Sequence, residues 1–358
     1  MMLTAVIMAG GKGERFWPKS RTKLPKQLLK LFGNETMIQQ TVNRLTRILD
    51  YEDIYIVTNK DYAEAIAQQL PLLPEENIIV EPMGKNTAPC IGLAALHIER
   101  KDPEAVMIVL PSDHLIKEEE KFLKTIKAAA HIAKEGENLV TLGINPTRPE
   151  TGYGYIQAGK KIKEIEGNQV FKVQRFVEKP NLQTAKKYIN SGDYLWNSGM
   201  FIWKVSTILQ EIKKHMPELY SGLVNLKRAL GTEEEDEVLE VEYSKFNSIS
   251  IDYGIMEKAD SIFVIPGDFG WDDVGSWTSL ERIYEKDKNG NIMKGNIVSL
   301  DTEKCIIEAN GKLIATLGVK NLIVVDTEDA TLICSKDKAQ EIKRLLQEVK
   351  RNKLETYL

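Results

Sequence analysis

The decisive stretch of this chain is Leu3-Thr-Ala-Val-Ile-Met8, which continues into Ala9-Gly-Gly-Lys-Gly-Glu-Arg-Phe-Trp-Pro18 and is followed by Leu24-Pro-Lys-Gln27. The apolar run at its start predicts a buried strand, because turn residues follow it at once. The glycines after that run let the backbone take positive φ and come close to a bound group. Successive N–H groups in such a loop form an anion-binding concavity. We therefore predict a phosphate-binding turn directly after the first strand.

Two better-known phosphate loops do not fit this turn. The Walker spacing G-x-x-x-x-G-K-[ST] is absent. Gly11 and Gly13 match the first two glycines of the dinucleotide fingerprint G-x-G-x-x-G, but Phe16 stands where the third belongs. Its bulk opposes the close helix–strand packing of that fold. A tight β-to-α turn without a ligand remains the alternative for Gly10–Gly13.

Two basic side chains favour a ligand. Arg15 can clamp phosphate oxygens with its planar fork of donors, and Lys26 can add a compact positive charge. The formal net charge of the whole chain is -4, so positive groups must be supplied locally. We predict that a nucleoside triphosphate is bound by Gly10, Gly11, Gly13, Arg15 and Lys26.

The composition is that of an ordinary globular protein. The 358 residues are 42% hydrophobic and 28% charged. The negative net charge offers no basic field to nucleic acid, and no apolar run reaches the roughly 18 residues that a membrane span needs. A strand so near the first residue leaves no room for a signal peptide. Cys90, Cys305 and Cys334 lack zinc-site spacing, so we predict reduced thiols and a cytoplasmic location.

Short apolar runs alternate with helical patterns over the first half of the chain. The predicted strands are Ile54–Thr58, Asn77–Val80, Ala105–Leu110 and Leu139–Gly143, and the predicted helices are Glu35–Leu49, Tyr62–Leu70, Ala88–Glu99 and Phe122–Lys134. This alternation predicts βαβ units and a mainly parallel sheet. Ligands of such sheets lie beyond the carboxyl ends of the strands, where the first loop, Glu81 and Asp113 fall.

Glu81 is our candidate for recognition of the base. Guanine presents a ring N–H beside an exocyclic amine, and one carboxylate accepts from both. Asn86 and Thr87 follow near a predicted helix start, where they can hydrogen-bond the base or the ribose. Either residue could instead cap that helix, and the two roles are compatible.

Asp113 is our candidate for a divalent cation. It follows Leu110-Pro-Ser at the end of a predicted strand. Mg²⁺ prefers a few carboxylates together with phosphate oxygens of the substrate. An Asx-turn that satisfies local backbone groups is the alternative for this residue.

At this point the chain resembles a known family. The string from Ala9 to Pro18, together with Pro25-Lys-Gln27, resembles the signature of sugar-nucleotide pyrophosphorylases, and most of all the bacterial guanylyltransferases that act on mannose 1-phosphate. Other matching segments are Glu81-Pro-Met-Gly-Lys-Asn-Thr-Ala88, Thr151-Gly-Tyr-Gly-Tyr155, Phe176-Val-Glu-Lys-Pro180, Trp196-Asn-Ser-Gly-Met-Phe201, Ser248–Glu257, Trp271–Gly275 and Gly318–Thr327. The resemblance therefore spans nearly the whole chain.

The resemblance implies roles for the residues of the sugar half of the site. Gly154, Tyr155, Glu178 and Asn197 would contact the sugar, and Lys179 would meet the sugar phosphate. For Glu178 and Lys179 taken alone, a surface ion pair is the alternative.

The resemblance also implies a second metal ligand. The W-x-D-x-G pattern selects Asp273 to hold Mg²⁺ with Asp113, ahead of Asp268 and Asp272. Asp252 receives only a supporting role, because a helix N-cap would explain it as well.

The resemblance implies an α/β fold, a Rossmann-like, mainly parallel mixed sheet flanked by helices. The strands predicted beyond residue 290 are too short and too many for another βαβ layer. The family has a partial left-handed β-helix in this region. The spacing of Ile342, Leu345, Leu346 and Val349 predicts a closing helix with one apolar stripe. We predict a catalytic domain over 1–286 and the small β domain with its helix over 287–358. The apolar edges of so small a unit must be covered. A second subunit would serve, as would the catalytic domain, and we predict a homodimer.

The resulting expectation is that GTP and mannose 1-phosphate give GDP-mannose and pyrophosphate, with Mg²⁺ as cofactor and Arg15, Lys26, Lys179 and Asp113 as catalytic residues. Two rivals remain: a pyrophosphorylase for another sugar 1-phosphate or nucleotide, and a non-catalytic, ligand-sensing paralogue. Some family members carry a fused isomerase domain, and we expect neither that domain nor isomerase activity here.

Overall fold

The computed structural model describes residues 2–358, and the chain folds into two compact units. The first unit contains the residues up to Gly10 together with Gln39–Ser112 and Ile116–Trp271. The second contains Gly11–Ile38, Asp113–Leu115 and Asp272–Leu358.

The first unit is built on a nine-stranded mixed sheet. Its strands are β1 (Leu3–Met8), β2 (Ile54–Asn59), β3 (Ile78–Glu81), β4 (Val106–Pro111), β5 (Leu139–Ile144), β6 (Tyr155–Ile165), β7 (Asn168–Val177), β8 (Tyr194–Lys204) and β9 (Ile262–Gly267). The spatial order is β3-β2-β1-β4-β8-β5-β9-β7-β6. Strands β3, β2, β1 and β4 are parallel, whereas β8 runs antiparallel to β4 and β5. The predicted α/β fold with a mainly parallel mixed sheet is confirmed.

Helices follow the strands as the alternating pattern predicts. They are α1 (Met37–Leu45), α2 (Lys60–Gln69), α3 (Thr87–Glu99), α4 (Glu119–Lys134), α5 (Leu182–Ser191), α6 (Val205–His215), α7 (Pro217–Ala229), α8 (Glu235–Lys245) and, near the C-terminus, α9 (Ile342–Arg351). Residues Ala88–Leu96 of α3 are buried on every side, which is typical of a helix enclosed in a core. No helix within residues 2–358 is long and apolar enough to cross a membrane.

The carboxyl ends of the parallel strands place the first candidate residues. Strand β1 is buried over its four central residues, as expected for the interior of a parallel sheet. It leads into Ala9, whose N–H donates to Val57 O at 2.8 Å, and then into Gly10. Strand β3 ends at Glu81, and β4 leads to Ser112. Because the strands run the same way, these ends lie on one edge of the sheet.

The second unit contains short strands that pair in parallel, apart from the last two along the chain, which pair antiparallel. They are β10 (Ile292–Lys294), β11 (Ile297–Leu300), β12 (Ile306–Glu308), β13 (Ile314–Leu317), β14 (Leu322–Asp326) and β15 (Thr331–Ser335). Ile292 pairs with Ile306, and Ile306 pairs with Ile323, so one apolar side chain is repeated at each level. Phe16 and Trp277 pack in the same core, with ring centroids 5.2 Å apart.

Some predicted boundaries were wrong. The helix expected over Glu35–Leu49 is regular only over Met37–Leu45, and β10 was not predicted. Of the stripe predicted on the last helix, Ile342 and Leu346 are buried, but Leu345 is 43% exposed. Ile342 and Leu346 are four residues apart and share the buried face of α9, whereas Leu345 lies outside that face.

Candidate active site

The loop after β1 has unused backbone donors. Within residues 2–358, the N–H groups of Gly10, Gly11, Lys12 and Gly13 make no intramolecular hydrogen bond. Four successive free donors in a glycine-rich loop can bind an anion. The predicted phosphate loop therefore has the donors that it needs.

Gly13 is required by its surroundings. Its φ is 60°, in the left-handed region, and a Cβ added there would lie 2.7 Å from the backbone nitrogen of Lys26. The loop and the short helix Lys26–Leu28 are consequently packed backbone to backbone. This packing explains why a residue without a side chain stands between the strand and Arg15.

Lys26 brings two distant aspartates together. Its side chain is 5% exposed, and its Nζ lies 2.8 Å from Asp113 Oδ2. The same Nζ donates to the carbonyl oxygen of Asp273 at 2.8 Å. A β-bridge between Leu115 and Asp272 fixes the two aspartate segments side by side. The structure thus brings together Lys26, Asp113 and Asp273, which are far apart in the sequence.

The charge of Asp113 depends on its neighbours. Burial raises the pKa of its carboxyl, but the charges of Lys26 and His114 and a hydrogen bond from Lys26 hold that pKa below its usual value. Burial lowers the pKa of His114 despite the nearby aspartates. Asp113 is therefore a carboxylate at neutral pH, beside a neutral imidazole.

The carboxylate of the neighbouring Asp272 is already paired with an arginine. Arg282 binds it in a bidentate pair, with Nε 2.6 Å from Oδ2 and Nη2 2.9 Å from Oδ1. Asp268 is exposed. Arg15 donates one N–H to Gln340 Oε1 at 2.8 Å, which leaves most of its donors available.

The carboxylates of Asp113 and Asp273 are oxygen ligands of the kind that a divalent cation shared with a substrate would use. Residues 2–358 contain no group of three or more His, Cys, Asp or Glu side chains that could hold a metal by themselves. Mg²⁺ is usually bound by one or two carboxylates with substrate phosphates supplying the rest. Asp113 and Asp273 supply that donor number.

Glu81 is buried and held by a tyrosine. The residue is 4% exposed, and its Oε1 accepts from the Tyr243 hydroxyl at 2.5 Å. Burial raises the pKa of Glu81 to about 7, against the hydrogen bond from Tyr243, which lowers it. Near pH 7 the group therefore exists in both protonation states. Sequence reasoning missed Tyr243, because it lies 162 residues away on α8.

Asn86 and Thr87 form the start of α3. Asn86 is the N-cap, and its Oδ1 accepts from Thr87 N–H at 2.9 Å. Thr87 Oγ1 accepts from Ile251 N–H at 2.8 Å. The capping alternative is therefore realised by Asn86, and the helix starts at Thr87, one residue before the predicted start at Ala88. A ligand role for either residue stays a prediction.

Most residues predicted for the sugar lie in one cluster of the first unit. Lys179 forms an ion pair with Glu178. The backbone N–H of Asn197 donates to the carbonyl oxygen of Gly154 at 2.8 Å. A Cβ added to Gly154 would overlap Glu178 Oε2 and lie 3.2 Å from Asn197 Cβ. Gly154 thus lets Glu178 and Asn197 approach one another.

The Glu178 carboxyl has an unused acceptor. Its side chain is 6% exposed, and within residues 2–358 its Oε2 is buried without a hydrogen-bond partner. Burial and the nearby Asp252 raise the pKa of Glu178. Leaving such an oxygen without a donor costs about 1–3 kcal/mol, which a ligand hydroxyl would offset.

Tyr155 differs from the rest of the cluster. Its side chain is fully buried, and its hydroxyl donates to the carbonyl oxygen of Glu150 at 2.9 Å. The ring packs 5.5 Å from that of Tyr188. Only the backbone of Tyr155 is left to meet a sugar.

Three residues at or beside the candidate site residues have a backbone conformation that is strained for residues other than glycine. Asn86, Lys179 and Val274 have φ of 70°, 47° and 48°. A β-branched residue such as Val274 is a clear outlier in this region. Strained residues of this kind persist where the surrounding structure fixes them, often at ligand sites.

Comparison with known proteins assigns the chain to a family. A model of the family described as nucleotidyl transferase matches residues 4–290, and a model described as MannoseP isomerase/GMP-like beta-helix domain matches residues 295–349. This chain belongs to the nucleotidyl transferase family. The short parallel strands of the second unit agree with the β-helix description, so the predicted C-terminal β-helix is also confirmed.

This nucleotidyl transferase has relatives of similar sequence along nearly its whole length. It is 42% identical over 354 residues to mannose-1-phosphate guanylyltransferase of Salmonella montevideo, covering 98% of this chain and 74% of the relative. It is 41% identical over 356 residues to mannose-1-phosphate guanylyltransferase of Escherichia coli K12, covering 97% and 73%.

A solved structure supports the fold of this nucleotidyl transferase. The structure, described as mannose-1-phosphate geranyltransferase from Thermus thermophilus, is 35% identical and superposes with a TM-score of 0.87. The comparison covers 98% of this chain and 100% of that one.

Proposed function

We propose that this nucleotidyl transferase joins GTP and mannose 1-phosphate to give GDP-mannose and pyrophosphate. The observation that carries the proposal is the contact of one buried amine, Lys26 Nζ, with both Asp113 and Asp273. Such a cluster suits a reaction between two anions. The names of the relatives with about 40% identity support the choice of substrates.

The proposed step is one displacement at phosphorus. An oxygen of mannose 1-phosphate attacks the α-phosphorus of GTP and forms the new P–O bond. The bond from that phosphorus to the bridging oxygen of the β-phosphate breaks, and pyrophosphate leaves with the electron pair. The attacking phosphate is already ionised at neutral pH, so no general base is required. Alignment and charge neutralisation are left to the protein.

Arg15, Lys26 and the free N–H groups of Gly10, Gly11 and Gly13 are proposed to bind the triphosphate. These charged groups and N–H dipoles would stabilise the negative charge that develops on the departing pyrophosphate. Asp113 and Asp273 would hold a divalent cation, proposed to be Mg²⁺, which supplies Lewis-acid charge to the phosphate oxygens. Lys179 is proposed to orient the attacking phosphate.

The base and the sugar are proposed to be recognised in the first unit. Glu81 would accept from the ring N–H and the amine of guanine, with Asn86 and Thr87 beside the base or ribose. Glu178 Oε2 and the Asn197 amide would bind vicinal hydroxyls of mannose, since one accepts and the other donates. The backbone at Gly154 and Tyr155 would complete the contact.

The test is an assay of pyrophosphate release with a panel of substrates. Purified protein and Mg²⁺ are given GTP, ATP, UTP or dTTP, each with mannose 1-phosphate or glucose 1-phosphate. We expect fastest release with GTP and mannose 1-phosphate. A preference for another pair would favour the rival pyrophosphorylase, and no release with any pair would favour the ligand-sensing paralogue.

Three further proposals concern organisation. We propose a catalytic domain over 1–286 and a β domain over 287–358, which the matched ranges 4–290 and 295–349 support. We propose a cytoplasmic location, supported by the three free cysteines Cys90, Cys305 and Cys334.

The third proposal is a homodimer. Val298 and Leu300 on β11, and Leu317 on β13, are 61%, 63% and 69% exposed. Leu300 pairs with Leu317 in the ladder, so these side chains form one apolar face. Sedimentation equilibrium tests the proposal: a dimer is expected at micromolar concentration, and a monomer alone would contradict it.

A further inference from the structure

The amide of Asn197 is held at both of its ends. Its Oδ1 accepts from Gly199 N–H at 3.0 Å, and its Nδ2 donates to Asp252 Oδ1 at 2.8 Å. An amide nitrogen carries two protons, so one N–H of Asn197 is not used by these contacts. The nitrogen lies 3.5 Å from the position of a Cβ added to Gly154, beside the unpaired Glu178 Oε2.

Asp252 belongs to a segment that is anchored on several sides. It begins a π-helical turn over Asp252–Met256, a feature that is frequent at functional sites. Before this turn, Ile251 N–H donates to Thr87 Oγ1 at 2.8 Å. After it, the Glu257 carboxylate accepts from Glu178 N–H at 3.0 Å. The turn therefore holds the Asp252 carboxyl in place against Asn197.

The orientation of Asn197 decides what the site can bind. If the amide were turned over, its oxygen would stand near Glu178 Oε2, and two acceptors would face the same ligand. The ionised carboxylate of Asp252 accepts hydrogen bonds and donates none, so in that form it selects the orientation in which the nitrogen of Asn197 faces it. The remaining N–H then complements Glu178 as a donor beside an acceptor.

We propose that Asp252 is a positioning residue of the sugar site, which accepts one N–H of Asn197 and thereby directs the other to a sugar hydroxyl. This inference rests on the proposed function. The matching ligand is a pair of neighbouring hydroxyls, one accepting from Asn197 and one donating to Glu178. A rival role is also visible, because the charge of Asp252 acts on Lys179 and contributes to raising its pKa.

The test is a double-mutant cycle with Asp252→Ala and Asn197→Ala, read as KM and kcat for mannose 1-phosphate at saturating GTP. Asp252→Ala should raise KM for the sugar phosphate roughly tenfold and leave KM for GTP within about twofold. On the Asn197→Ala background the same change should add less than about twofold, because the residue acts through that amide. Additive effects, or equal effects on both substrates, would overturn the proposal.

Asp252→Asn distinguishes positioning from charge. Its amide oxygen can still accept from Asn197, so this variant should recover most of the affinity that Asp252→Ala loses. If Asp252→Asn is as impaired as Asp252→Ala, then Asp252 acts through the effect of its charge on Lys179. Positioning of the Asn197 amide is then excluded. Asp260→Ala is the matched control, since Asp260 is exposed and pairs with Lys214 at 3.2 Å. It should behave as wild type.

The mutant cycle can fail or succeed independently of the proposed substrates. If the wild-type protein converts a different sugar 1-phosphate, the proposed substrate is wrong. The same cycle measured with that sugar phosphate still supports or overturns the role of Asp252. Thermal unfolding of each variant identifies any that is not folded, and the near-isosteric Asp252→Asn then decides the question against wild type.

Discussion

Replacing Glu81 by glutamine removes the charge of this carboxyl and keeps its shape. The pKa of Glu81 is raised from 4.5 to about 7, chiefly by burial. The folded protein therefore binds a proton that the unfolded chain releases between these two pH values. Because the folded state holds more protons, its stability falls as the pH rises through this window. The full difference corresponds to about 3 kcal/mol above pH 7, at about 1.4 kcal/mol per pH unit.

Denaturant unfolding at two pH values measures this difference. Glu81→Gln has no such proton, so its unfolding free energy relative to wild type should increase by about 2–3 kcal/mol between pH 5 and pH 8. The side chain is 4% exposed, so solvent screening does not reduce the figure much. If the difference in unfolding free energy between variant and wild type is the same at both pH values, then Glu81 titrates normally and its pKa is not raised in the folded protein.

The same variant tests recognition of the base. The amide of glutamine offers one acceptor where the carboxylate offers two, so Glu81→Gln should lower the ratio of kcat/KM for GTP to that for ATP. In wild type, KM for GTP should fall between pH 6 and pH 8 as Glu81 loses its proton, and in the variant that change should vanish. An unchanged ratio with an unchanged pH profile would mean that guanine is read elsewhere.

Other substitutions probe the remaining groups. Asp113→Asn should lower kcat by about two orders of magnitude or more with little loss of thermal stability, whereas the exposed control Asp268→Asn should keep full activity; near-normal turnover would remove Asp113 from the metal site. Lys179→Ala should lower kcat and raise KM for mannose 1-phosphate, and a rise confined to KM for GTP would assign the residue to the other substrate. Gly154→Ala places a Cβ against Glu178 and should raise KM for mannose 1-phosphate about tenfold or more, without changing KM for GTP. Equal changes in both KM values would contradict the sugar assignment.

The elements that the sequence predicted well are those with strong local patterns. Strand β1 was predicted with its observed bounds, because an apolar run followed by glycines leaves few alternatives. Helix α1 was predicted too long, since apolar spacing continues to Leu49 although regular hydrogen bonding ends earlier. Strand β10 has only three residues, Ile292–Lys294, and is held by pairing with β12, which no local pattern reveals.

The candidate site shows the same division. Motifs identified Lys26, Asp113 and Asp273, and the structure brings them together. Motifs did not identify Tyr243, whose hydroxyl donates to Glu81, and they gave Asp252 only a supporting role, although its carboxyl accepts a hydrogen bond from the Asn197 amide. Both contacts depend on tertiary packing between segments more than 50 residues apart. The domain boundary and the roles of the site residues stay predictions.

A crystal structure of the protein with Mn²⁺ and GDP-mannose bound, read by anomalous scattering, would locate the proposed cation directly. We expect one anomalous peak in contact with the carboxylates of Asp113 and Asp273 and with a phosphate oxygen of the product. A peak that touches neither carboxylate would contradict this expectation.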